Sequence, residues 1–191
     1  MRERRISLWV AAAWLLMTLP AAGAEPVSTT PSPKAVEALR LVESKDPYQQ
    51  QLGFLRLEAL REPATVPMIR AYLTHREPQM RAYVVRALAA IEGVAAVPTL
   101  LDALRTDKQA LVRRAALLGL EPLQATDPNI LPAFIKALRD KDTEVRMSAV
   151  DVVSRIDDPR AREAILLRNK REHRRDVRRV LNLAMRRLSQ P

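Results

Sequence analysis

The sequence predicts an all-α protein, a solenoid of about five stacked helix pairs. Three observations carry this. Beyond residue 33, apolar residues recur at spacings of three and four, with no alternating strand pattern. An apolar residue followed by arginine returns as Met80-Arg81, Val112-Arg113, Val145-Arg146 and Val177-Arg178, at spacings of 32, 33 and 32. A second phrase stands upstream of the first three: "VPMIRAYL" from Val66, "VPTLLDAL" from Val97 and "LPAFIKAL" from Leu131. A fixed period of two helices per roughly 30–40 residues is the mark of an α-solenoid.

Taken in order, the chain opens on a basic "MRERR" and an uncharged apolar run, Ile6–Leu19, followed by small residues at Ala22 and Ala24. This is the layout of a secretory signal peptide, residues 1–24, cleaved after Ala24. A fourteen-residue helix spans only ~21 Å, short of a ~30 Å hydrocarbon core. An uncleaved anchor is the alternative. The expected address is the bacterial periplasm or the exterior. Residues 25–32 are rich in Pro, Ser and Thr and read as a solvated linker. The solenoid then runs over 33–188, with helix pairs near 33–60, 63–91, 94–120, 128–156 and 159–188. Prolines suit the first turns, whose amides have no intrahelical acceptor. Asp46-Pro47, Asp127-Pro128 and Asp158-Pro159 read as cap-plus-proline helix starts. There is no cysteine, so the fold needs no disulfide.

These phrases resemble the HEAT-repeat family, in particular the short bacterial HEAT-like repeats also found in phycobilin lyase subunits. The resemblance covers the chain from about Pro33 to Leu188. It implies that Arg81, Arg113 and Arg146 are structural, each reaching an aspartate of the turn between the two helices and building a ladder through the stack. Asp107 and Asp140 stand ahead of Arg113 and Arg146 as the acids of that ladder. The second unit departs, with His75 in the corresponding turn, and the first carries Gln49-Gln50 in place of apolar-Arg. Val112, Ala116, Leu117 and Leu120, and likewise Val145, Ala149, Val152, Val153 and Ile156, form stripes expected in the core.

Nothing in the sequence points to catalysis, a metal or a cofactor. His75 and His173 are the only histidines, and both lie among charged neighbours. There is no HExxH, glycine-rich phosphate loop or Gly-x-Ser-x-Gly. The His-Glu dipeptides of HEAT-fold hydroxylases are missing. So are tryptophans beyond Trp9 and Trp14, such as HEAT-fold DNA glycosylases place around a base.

Net charge is +10. Losing Arg2, Glu3, Arg4 and Arg5 with the leader leaves +8, and the final 32 residues hold all of that surplus. Arg171, Arg174, Arg175, Arg179 and Arg186 form a candidate surface for an anionic partner. Most of them lie opposite the stripe of Val177, Leu181, Ala184 and Leu188. A polar cap that keeps the solenoid soluble is the plainer reading of the same residues. Without an aromatic residue after Phe134, base stacking of nucleic acid is disfavoured. The sequence therefore predicts an exported, non-catalytic scaffold that binds a protein through its concave face. The alternative is electrostatic docking of the C-terminal helix pair, 159–188, on anionic lipid, lipopolysaccharide or nucleic acid.

Overall fold

The structure, a computed structural model, describes residues 30–189. The signal-peptide reading and most of the linker fall outside the described residues. Where the linker ends, Ser32 caps α1 (Pro33–Val42) by accepting the Ala35 amide at 3.2 Å. Its own amide and hydroxyl donate to the Glu62 carboxylate at 2.9 and 2.5 Å, which fixes the start of the fold to the end of the first unit.

α2 (Pro47–Leu60) starts at an Asp46 cap and packs closely on α1. Gly53 makes that approach possible. A Cβ there would lie 2.7 Å from the Val42 nitrogen and 2.8 Å from the Ala38 carbonyl. In the second unit the first helix is broken into a 3-10 turn, Pro63–Thr65, the short α3 (Val66–Arg70) and a second 3-10 turn, Ala71–Thr74, before α4 (Pro78–Glu92). Proline 67 and the β-branched Thr65, Val66 and Ile69 weaken regular helix here. Gly93, at φ +55°, then turns the chain into α5 (Val97–Thr106) and α6 (Ala110–Leu120). The run Pro78–Thr106 has enough length and hydropathy to cross a membrane, but Gly93 breaks it into two helices whose apolar faces are buried core.

The fourth unit comprises α7 (Ile130–Ala137) and α8 (Thr143–Val153), and the fifth α9 (Pro159–Arg171) and α10 (Arg175–Leu188). Asp46 and Asp158 cap helices as the sequence predicts. Asp127 does not. Its carboxylate holds the Asn129 amide at 2.7 Å in a turn, and α7 begins two residues beyond Pro128.

One continuous core threads all five units. It includes Phe54, Leu88, Leu100, Leu117, Phe134, Val150, Ile165 and Leu181, each at 0% exposure. The predicted stripes of α6 and α8 are buried, with Ile156 partly so. Second helices pack against second helices (α2, α4, α6, α8, α10) more extensively than first helices do, so the stack curves toward them. Their solvent-facing side is the inner face.

Candidate functional site

The repeated arginines bind in a way the sequence only half indicates. Each stands in the first turn of a second helix, six residues after a turn position, and that spacing aims the guanidinium at its own turn's carbonyls. Arg113 donates through Nη1 to the Asp107 and Lys108 carbonyls, both at 3.0 Å. Arg146 does the same to Asp140 and Lys141 at 2.9 and 3.1 Å, and Arg81 to His75 and Arg76 at 2.7 and 3.2 Å.

The carboxylate each arginine binds belongs to the following unit, not to its own turn. Arg81 holds Asp107 through Nε and Nη2 at 2.8 and 3.0 Å. Arg113 holds Asp140 at 2.8 and 2.6 Å, and Arg146 reaches Glu172 at 3.1 Å. The pairing of Arg113 with Asp107 and of Arg146 with Asp140 is thus corrected by one unit. The reason is geometric. A turn's backbone already fills the near edge of its own arginine, and a short Asp side chain, fixed by the amide two residues on, points back at the preceding unit. Bidentate Arg–carboxylate geometry of this kind is the strong form of the ion pair.

This register explains the departure in the second unit. A carboxylate at His75 would be bound by the arginine of the first unit, where Gln50 stands instead. Gln50 keeps the local brace, donating to the Ser44 carbonyl at 2.8 Å, but it cannot supply a cation. The missing arginine and the missing acid belong to the same rung, so neither charge is stranded. Arg81, using the carbonyls of its own turn, is unaffected. Glu172, six residues before Arg178, is the third acid of the ladder. The six-residue spacing of Asp107 and Asp140 from their arginines was signal enough to find it.

Burial pushes the acids up, but the arginines win. Asp107 and Asp140 are held below the usual carboxylate range by hydrogen bonds from Arg81 and Arg113 and from turn amides. Glu172 accepts from Arg146, Arg168 and the amides of His173 and Arg174. These outweigh its desolvation and lower it to about 2.

The inner face offers the surface chemistry. Five residues after each ladder position come Leu55, Arg86, Leu118, Asp151 and Leu183, with the three leucines 42–52% exposed. A groove between α4 and α6 is lined by Tyr83, Arg86, Leu111, Arg114 and Leu118 over small side chains at Ala82 and Ala115. It continues past Leu118 to Glu58, Gly119 and Pro122. Arg86 is pinned to Glu58 at 2.9 Å, and Arg114 to the Ser148 hydroxyl at 3.0 Å. Burial raises Glu58 against the pull of Arg86, and its Oε1 is buried with no hydrogen-bond partner. Sequence reading named none of these residues as a site, because exposed leucines in an amphipathic helix cannot be told from core until the stack is built. Tyr83 and Tyr72 also pack on Phe54 in the core, with ring centroids at 5.6 and 6.2 Å.

Of the anionic-partner candidates, Arg171, Arg174, Arg175, Arg179 and Arg186 are all exposed. The structure does not gather them into one site. Arg171, Arg174 and Arg175 stand at the α9–α10 turn, whereas Arg186 lies eleven residues on, ~16 Å along α10 from Arg175. Among the described residues no group of three or more His, Asp or Glu is placed to hold a metal.

Five helix pairs, the last four joined by forward-reaching arginines, make the protein an α-solenoid of short two-helix repeats. A family model described as HEAT repeats matches residues 32–121 and again 110–186, and the chain belongs to that family. Among solved structures, it is similar to the complex of CpcE and CpcF of phycocyanin lyase from Nostoc sp. PCC7120. The identity is 23% and the TM-score 0.66, over 79% of this chain and 97% of that one. At this identity the likeness establishes the fold. No curated protein matches the chain significantly.

Proposed function

We propose that this HEAT-repeat protein is an exported, non-catalytic scaffold that binds a protein partner through its inner face. The observation that carries the reading is the α4–α6 groove. There Leu111 and Leu118, 45% and 42% exposed, flank a floor of small side chains. Clustered exposed leucines are costly in water and mark interaction surfaces, and inner faces of stacked repeats supply extended ones. Arg86 and Arg114 are held in place by Glu58 and Ser148, so they are ordered before a partner arrives. Export rests on the leader-like residues 1–24.

Site-specific photocrosslinking in living cells tests the partner reading. A crosslinker at Leu118 should capture a discrete protein, whereas one at Met68, equally exposed on the first-helix side, should not. Equal capture at both positions, or at neither, removes the inner-face reading. Intact mass of the native protein tests export. The expected product begins at or near Glu25, and a mass retaining Met1–Ala24 overturns it.

A further inference from the structure

The ladder has a by-product on the edge of the solenoid where the two helices of each unit join. The residue after the turn position has its carbonyl clamped by the ladder arginine at Arg76, Lys108 and Lys141. With the backbone held inward, the side chain must point out. That position reads Lys45, Arg76, Lys108, Lys141 and His173, all exposed, one per unit. The acids beside them do not offset this charge in the later units, because Asp107, Asp140 and Glu172 already neutralise Arg81, Arg113 and Arg146.

In the C-terminal half the row broadens into a patch. Arg105, Lys108, Lys136, Arg139 and Lys141 line one shallow depression between the third and fourth turns, floored by Leu104, Ala133 and Ala137. None of these five cations has an ion pair among the described residues. Arg139 also borders the adjoining depression between α7 and α9, where Arg171 stands beside Ile135 and the 39%-exposed Leu167. Glu163 also lines this depression and is opposite in sign. Arg175 prolongs the patch at the last turn, beside Arg174, which pairs with Asp176 at 3.8 Å.

We infer that this turn edge, over the third to fifth units, docks the protein on an anionic phospholipid surface. The patch is broad and shallow rather than a channel, it has no aromatic residue on which bases could stack, and an exposed leucine sits among its cations. A plane of anionic headgroups over an apolar layer fits all three features, and a nucleic-acid strand fits only the charge. The surface is separate from the inner face, which stays open to a protein partner while the edge is docked.

The test is co-sedimentation of the native protein with vesicles of equimolar phosphatidylglycerol and phosphatidylcholine, against vesicles of phosphatidylcholine alone. The protein should partition to the former and be released by salt. Each cation near such a surface contributes roughly a fivefold gain in partitioning. The variant Lys108→Glu/Arg139→Glu/Lys141→Glu should therefore lose on the order of 100-fold or more. Its helical circular dichroism should match the parent, since none of the three side chains makes an ion pair. The variant Lys34→Glu/Arg40→Glu/Arg186→Glu carries the same charge change on exposed positions away from the patch and should bind nearly as the parent does. Equal loss in both variants would mean that net charge alone drives the binding and would overturn the edge. So would unchanged binding in the first variant, or indifference of the parent to phosphatidylglycerol. Displacement from the vesicles by equimolar single-stranded DNA would reassign the patch to nucleic acid.

Discussion

Arg113 and Arg178 occupy the same position of two helical units, yet only one of them is built into the fold. The Arg113 side chain is 5% exposed, with its fork closed on Asp140 and two carbonyls. Arg178 is exposed, and among the described residues its side chain has no ion pair. Nothing about the two phrases differs enough to explain this. The difference is the acid that faces each one: Arg113 meets Asp140 of the next unit, and no acid among the described residues pairs with Arg178. A rung consists of an arginine from one repeat and an acid from the next, and among the described residues no such acid pairs with Arg178. The first unit shows the complement: Gln50 braces its own turn and passes nothing forward. Four residues after the ladder arginine, where Leu117 and Val150 are buried, the fifth unit carries Asn182, exposed. The outer face of α10 is thus polar where its counterparts are apolar.

The largest effect in this comparison should come from the apolar half of the phrase. Val145, at 0% exposure, packs between stacked helices, and Val145→Asp places an unpaired charge there. A loss of at least ~4 kcal/mol is expected, enough to abolish cooperative urea unfolding. A variant that keeps a sigmoidal melt near the parent midpoint would remove Val145 from the core.

Arg113→Ala comes next. It leaves Asp140 buried without its cation and frees two turn carbonyls, at a cost of about 3 kcal/mol. Arg146→Ala should cost less, since Glu172 keeps Arg168 and two backbone amides as partners. Arg139→Ala and Arg178→Ala, on exposed side chains, should stay within about 0.5 kcal/mol of the parent. Chemical denaturation of the four variants checks the ladder directly, and equal losses throughout would dissolve the distinction between closed and open rungs.

The acids give the same comparison a pH axis. Glu172 titrates near 2 in the fold, against an ordinary 4.5. A group with a depressed folded value stabilises fully above its unfolded value and loses that contribution as pH falls toward the folded one. Asp107 and Asp140 act in the same direction. Stability should therefore be flat near neutral pH and decline between ~4.5 and ~2. In Arg113→Ala the decline should be shallower, because Asp140 then has less depression to lose. Identical acid profiles for parent and variant would show that the ladder acids do not carry it.

The smallest expected effect is a gain. Gln50→Arg supplies the missing cation and His75→Asp the missing acid. Either alone should be neutral or slightly unfavourable. Together they should couple by roughly 0.5–1.5 kcal/mol in a double-mutant cycle. Strict additivity would mean that the first rung was left out for reasons other than its partner.

Much of this molecule is legible without coordinates, because its determinants are local and periodic. The 32- to 33-residue repeat of apolar-Arg, the three-and-four spacing and the prolines at first turns each act within one or two helical turns. They therefore determined the all-α class, the five pairs and the buried stripes of α6 and α8. Asp127 shows where such local signals end: a cap-plus-proline phrase there closes a turn because helix propensity and packing favour a start at Ile130. What the tertiary structure alone decided are the relations between units. Which acid meets Arg113, why His75 costs nothing, which leucines of amphipathic helices face a groove and not a neighbour, and how lysines 33 residues apart come to share one depression all depend on stacking. Residues far apart in sequence meet there at a register that no single repeat encodes.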